Sequence, residues 1–147
     1  MSQSRMTYLA FYKGTGKWWN KLIRLWTRGP YSHCEIVTSK PNSWRKTAQS
    51  LSASEWDGGV RKKTIDFTTD NWDLIPVAID CDRLSQAKGE IGAKYDWVGI
   101  LFSQILPLSR EHPDKWFCSE LAAFVIGLPD PHHFSPNSLY RKLKETC

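Results

Sequence analysis

The chain has 147 residues and a formal net charge of +5, with 41% hydrophobic and 24% charged residues. This length and balance predict one globular domain, residues 1–147, whose core needs no disulfide or metal to fold. Eight tryptophans exclude a disordered chain. The basic residues favour polyanionic surroundings such as a wall polymer or a lipid surface. No nucleic-acid motif is present, so we expect no nucleic-acid partner.

The cysteines and histidines argue against a metal site. No CxxC pair occurs among the four cysteines, Cys34, Cys81, Cys118 and Cys147, which disfavours a zinc ribbon or a redox dithiol. Three histidines, His112, His132 and His133, lie in predicted polar loops without a carboxylate at ligand spacing. The N-terminus does not resemble a signal peptide, and no apolar run reaches about 18 residues. We expect a protein made in the cytoplasm with free thiols, no metal and no cofactor.

The first half of the chain is dominated by patterns typical of strands. Five are predicted, at 6–12, 31–38, 44–53, 59–67 and 72–79, and Pro76 places the last of them at a sheet edge or bulge. Between the first two strands, Trp18, Trp19 and Trp26 share one face of a predicted basic helix, 17–28. That face either packs on the core or contacts a membrane surface.

The second half changes to helical patterns. Helices are predicted at 82–92, at 98–106, from Cys118 to a stop at 127–129, and at 135–144. The first of these should turn Leu84, Ala87 and Ile91 inward, with Asp80 or Asp82 as its cap. A run of strands followed by helices indicates an α+β domain.

Cys118 stands at the start of a predicted helix whose apolar residues recur at helical spacing, as at Leu121, Phe124 and Val125. The positive end of the helix dipole lowers the pKa of a thiol in this position. The free amide groups of a first helical turn can also hold a developing oxyanion. The alternative is a small buried hydrophobe, which is the usual role of a lone cysteine.

His33 and Glu35 alternate with Cys34 along a predicted strand, so the first two share one face and Cys34 should point away from them, into the core. A histidine beside a carboxylate can act as an oriented base, whereas the alternative is the solvent-facing side of an edge strand. The next strand carries a further polar position at Ser52. A thiol, a base and an orienting group are what thiol acyl chemistry requires.

Three segments resemble the marks of circularly permuted NlpC-type hydrolases, papain-like cysteine enzymes in which the histidine strand precedes the cysteine helix. They are YSHCEIV (31–37), KYDWVG (94–99) and FCSEL (117–121). The resemblance covers about residues 8–128 and implies an antiparallel sheet packed against the helix of the nucleophile. It implies Cys118 as nucleophile and His33 as general base and acid. The family's third residue falls near Ser52, and because serine orients an imidazolium poorly we favour Glu35 for that role.

The resemblance further implies a cysteine hydrolase that cleaves a peptide or amide bond in peptidoglycan stem peptides through an acyl-enzyme. The small size is similar to that of phage or prophage proteins, which are carried by a virion or released by lysis. One alternative is a lipid acyltransferase or phospholipid hydrolase of the same fold, which would dock on a membrane through Trp18 and Trp19. Another is a non-catalytic binding or virion structural module.

Overall fold

The computed structural model describes residues 3–14, 24–25, 28–40, 47–54, 57–92, 94–95 and 115–146. Within these ranges the strands are β1 (Ser4–Tyr12), β2 (His33–Val37), β3 (Thr47–Ser54), β4 (Gly59–Asp66), β5 (Trp72–Asp80), β6 (Lys94–Tyr95) and β7 (Lys115–Trp116). The helices are α1 (Cys81–Gly89), α2 (Cys118–Ile126) and α3 (Pro136–Glu145), with a 3-10 turn at Pro131–His133.

Some predictions fall on other parts of the chain. The predicted helix at 98–106, the side chains of Trp18, Trp19 and Trp26, and His112 all lie outside the described residues. Arg24 and Leu25, from the predicted basic helix, are helical. No helix in the described part of the chain is long and apolar enough to cross a membrane.

β1 to β5 form one antiparallel sheet in the order β4-β3-β2-β1-β5. All five strands predicted from the sequence are confirmed. β5, which contains Pro76, lies at the sheet edge, where a residue without an N–H donor is tolerated. The short strands β6 and β7 pair in parallel, with Tyr95 opposite Trp116. The strands and helices together make an α+β domain, as predicted.

One face of the sheet packs against the helices. Alternate strand residues on this inner face are buried, since the side-chain period of a strand is two, and they include Leu9, Phe11, Cys34, Ile36, Leu51 and Ala53. Seven of the nine residues of α2 are buried, including the polar Ser119 and Glu120, as expected of a helix enclosed by its neighbours. The predicted core positions Leu84 and Ala87 of α1 are buried as well.

The helix ends follow local sequence signals. The Asp80 side chain caps α1 by accepting hydrogen bonds from the amides of Asp82 and Arg83. Gly127 ends α2 in the left-handed conformation, with φ of 87°. Ser135 caps α3 ahead of a proline at its first position.

The prediction that Ile91 faces inward is wrong. Its side chain is 45% exposed, because α1 ends at Gly89 and the chain then turns. The helical spacing that links positions 84, 87 and 91 no longer applies beyond that point. Gly92, at φ of 99°, completes the turn, and its amide donates to the carbonyl of Val60.

Asn137, in the first turn of α3, holds the segment that leads into β2. Its Oδ1 accepts from the Tyr31 amide and its Nδ2 donates to the Tyr31 carbonyl, both at 2.9 Å. Gly29 passes so close that a Cβ atom there would overlap the Asn137 side chain. The Tyr31 ring packs between Phe11 and Tyr140. The backbone just before His33 is therefore fixed from two sides.

Asn137→Ala should lower the free energy of unfolding by roughly 2–4 kcal/mol, because it leaves a buried amide and a buried carbonyl of Tyr31 without partners. Lys142→Ala, at an exposed position of the same helix, is the control and should change stability by no more than about 0.5 kcal/mol. Urea unfolding of both variants measures the difference. Equal small losses would contradict the role given to Asn137.

Candidate active site

Cys118 is the first residue of α2 and is 1% exposed. The residue before it, Phe117, is the N-cap and makes no side-chain cap hydrogen bond. The Ser119 hydroxyl donates to the carbonyl of Phe134, 2.6 Å away, which ties the first turn of α2 to the segment before α3. The thiol thus lies at the positive end of the helix dipole. The N-cap side chain makes no hydrogen bond to the amides of the first turn.

His33 is the first residue of β2, and its ring contacts both Cys118 and Glu35. Its Nε2 lies 2.7 Å from Oε1 of Glu35, which leaves Nδ1 as the nitrogen for the hydrogen bond with the Cys118 thiol. β2 lies between β1 and β3, and Glu35 is 0% exposed. The interpretation of this pair as the solvent-facing side of an edge strand is therefore wrong.

The contacts within the site keep Cys118 and His33 ionised together. Burial disfavours the charge on His33, but the charge of Cys118 and hydrogen bonds to Cys118 and Glu35 raise the pKa of His33 to about 10. Burial likewise disfavours the thiolate, but hydrogen bonding with Cys34 and the charge of His33 lower the pKa of Cys118 well below that of an ordinary thiol. Both shifts favour a thiolate paired with an imidazolium, which is the charge state that thiol nucleophiles require.

Glu35 is a buried carboxylate that stays charged. Burial alone would raise its pKa, but His33 and Arg61 lower the pKa of Glu35 to about 2. Arg61, from β4, donates through Nη1 to Oε2 at 2.7 Å and through Nη2 to Oε1. Its Nε donates to Asp57 Oδ2 at 2.8 Å. Charges thus alternate along a line from Cys118 through His33, Glu35 and Arg61 to Asp57.

Ser52 lies between Glu35 and Arg61 and does not orient the imidazole. It pairs with Arg61 across β3 and β4, and continuing the register of β2 and β3 places it opposite Glu35. Its hydroxyl donates to the carbonyl of Cys34 at 2.6 Å. Of the two candidates for the third position, the structure places Glu35 against His33.

Cys34 is buried in the core, as predicted, and its thiol also forms a hydrogen bond with that of Cys118. The reason is that the start of α2 packs on the inner face of the sheet, to which Cys34 points. Burial and the neighbouring Cys118 raise the pKa of Cys34 well above that of a free thiol. Cys34 is therefore the neutral donor of the pair.

Sequence reasoning missed Arg61 altogether. The sequence did contain one indication of its position, because Arg61 closely follows a tight turn of two glycines, Gly58 and Gly59, at the start of β4. The contact of Arg61 with Glu35 depends on how β2, β3 and β4 pair, which composition and spacing do not reveal.

The other candidate residues lie elsewhere. His132 and His133 form part of the 3-10 turn before α3. The structure describes no group of three His, Cys, Asp or Glu side chains, among the residues it covers, that is arranged to hold a metal ion. Cys81 begins α1 as a free cysteine.

No protein-family model matches the chain, and no curated protein matches it either.

Glu35→Gln should lower the pKa of His33 from about 10 by roughly 1–3 units, because the amide keeps the shape of the side chain but removes its charge. Ser52→Ala is the matched comparison and should leave that pKa unchanged, since its hydroxyl bonds only to backbone carbonyls. NMR titration of the His33 ring, assigned with a His33→Asn variant, measures both. A changed His33 pKa in Ser52→Ala, together with an unchanged one in Glu35→Gln, would assign the orienting role to Ser52 instead of Glu35.

Proposed function

We propose that this protein is a cysteine hydrolase of the circularly permuted, papain-like NlpC type. Cys118 is the nucleophile, His33 the general base and acid, and Glu35 the group that orients the imidazole. The observation that carries the proposal is the buried chain of contacts from the Cys118 thiol through His33 to Glu35. A thiol nucleophile requires a base beside it, and the base requires a group that orients its ring; Cys118 and His33 each have that neighbour.

The order of the elements supports the fold part of the proposal. The histidine strand β2 comes before the cysteine helix α2 in the chain, and α2 packs against an antiparallel sheet. That order is what a permuted papain-like domain requires.

The chemistry follows from the charges of the site. The Cys118 thiolate attacks the carbonyl carbon of the scissile bond, and amides of the first turn of α2 stabilise the oxyanion. His33 passes its proton to the leaving amine, and a thioester to Cys118 remains. His33, now neutral, removes a proton from water, the resulting hydroxide attacks the thioester, and the released thiolate and imidazolium restore the starting state. Glu35 holds the ring and its charge throughout.

The proposed substrate is a peptide or amide bond in the stem peptides of peptidoglycan, reached from a virion or on lysis. The net charge of +5 supports a polyanionic partner such as a cell wall, and the resemblance in the segments around His33 and Cys118 supports the bond type.

The activated thiol can be tested without knowing the substrate. An ordinary thiol has a pKa of about 8.5. Alkylation of Cys118 by iodoacetamide should stay fast well below that pH. In His33→Ala the rate should fall with pH as it does for free cysteine, because the counter-ion that lowers the pKa of Cys118 is gone. Mass spectrometry of the modified peptide separates Cys118 from the other three cysteines, Cys34, Cys81 and Cys147. A wild-type profile like that of free cysteine would remove the enzyme proposal.

The substrate is tested separately. Purified muropeptides incubated with the protein should yield fragments with a new amine and a new carboxyl group, and Cys118→Ser should yield none. The same variant pair incubated with phospholipid vesicles provides the comparison. Cys118-dependent release of fatty acid or lysolipid, with intact muropeptides, would contradict the proposed substrate and favour the lipid enzymes of the same fold.

A further inference from the structure

We propose that Arg61 is a positioning residue of this site, which acts through Glu35 on the imidazole of His33. Arg61 forms no hydrogen bond with Cys118 or His33, and its side-chain hydrogen bonds within the described residues are to the carboxylates of Asp57 and Glu35. The catalytic consequence rests on the proposed function, whereas the effect on the thiol can be measured without any substrate.

The guanidinium of Arg61 forms a fork on the Glu35 carboxylate. The two terminal nitrogens of Arg61 each donate to a different oxygen of Glu35, and its Nε donates to Asp57. A planar guanidinium bound in this way at two atoms fixes the plane of the carboxylate as well as its distance. Lysine, with a single nitrogen, cannot reproduce the arrangement.

The plane of the Glu35 carboxylate also sets where His33 finds its acceptor. Oε1 of Glu35 is shared between Nη2 of Arg61 and Nε2 of His33. Fixing the carboxylate by the arginine therefore fixes the acceptor for the histidine ring. Once Nε2 is bound to Glu35, the other ring nitrogen is held toward Cys118.

The sheet leaves space for the contact between Arg61 and Glu35. Arg61 and Glu35 lie on different strands with β3 between them, and the intervening position in their row is Ser52. A serine is small enough for the arginine to extend across it. The family resemblance placed the third catalytic residue near Ser52. Here the small side chain at that position leaves room for the guanidinium to reach the carboxylate.

Arg61 also acts on Glu35 through its charge. Glu35 is fully buried, and a buried carboxylate with a single partner is readily protonated. Among the described residues, the charged groups that face it are His33 from its own strand and Arg61 from β4, while its neighbours on β1 and β3, Ala10 and Ser52, are uncharged. Beyond them, Cys118 faces His33, and Asp57 faces Arg61. Without Arg61, Glu35 keeps one charged partner in the described part of the chain, His33.

The test is the pH dependence of Cys118 alkylation by iodoacetamide in three variants of the full chain. Arg61→Gln should move the pH at which the rate is half-maximal upward, by less than the roughly 1–3 units that loss of a neighbouring cation shifts the pKa of a carboxylate, because Arg61 acts on the thiol only through Glu35 and His33. Arg61→Lys keeps a charge without the fork and should show a smaller upward shift. Lys62→Gln removes an equal charge from the adjacent, exposed position of β4 and should leave the profile unchanged.

The outcomes are distinguishable. A wild-type profile without low-pH reactivity overturns the proposed function. A wild-type profile with it, together with an unshifted Arg61→Gln profile in a folded variant, overturns the role of Arg61 alone. A lower melting temperature with no shift in the profile means that Arg61 is only structural. Should Arg61→Gln fail to fold, an unshifted profile in Arg61→Lys overturns the proposal in its place.

Discussion

The site depends on one buried ionised carboxylate. Glu35 is 0% exposed, and removing a charge from water costs several kcal/mol unless partners and hydrogen bonds offset it. Here His33 and Arg61 occupy both oxygens. Because the hydrogen bond to Glu35 and its negative charge raise the pKa of His33, the pair favours imidazolium, and the imidazolium in turn favours the thiolate of Cys118. Glu35 thus acts on Cys118 through His33, while Cys34 and His33 act on the thiol directly.

The fold holds this line of charges by pairing strands. An antiparallel register places residues of neighbouring strands in rows across the sheet, and one row carries Glu35, Ser52 and Arg61. The opposite face packs on α2, which brings Cys118 to the start of β2. Asn137 fixes the chain just before His33. Core packing, strand register and the start of α2 therefore together position the side chains of Cys118, His33 and Glu35.

The sequence was most informative where the signal is local. The five strands, the caps at Asp80 and Ser135 and the stop at Gly127 follow from alternation and from capping chemistry, which act within a few residues. Cys118 and His33 were found in the same way. Arg61 and the contact between Cys34 and Cys118 were not, because both depend on which strands and helices meet. Ile91 was misassigned since helical periodicity does not itself reveal where a helix ends.

The most direct test of the central claim is the ultraviolet absorbance of the Cys118 thiolate, taken as the difference between the wild type and Cys118→Ser across a pH titration. Burial, hydrogen bonding with Cys34 and the charge of His33 together set the pKa of Cys118 well below that of an ordinary thiol. The account predicts that the thiolate signal is already complete at neutral pH and persists into the acid range. A signal that develops only as the pH rises through about 8.5, as for an unperturbed cysteine, would contradict it.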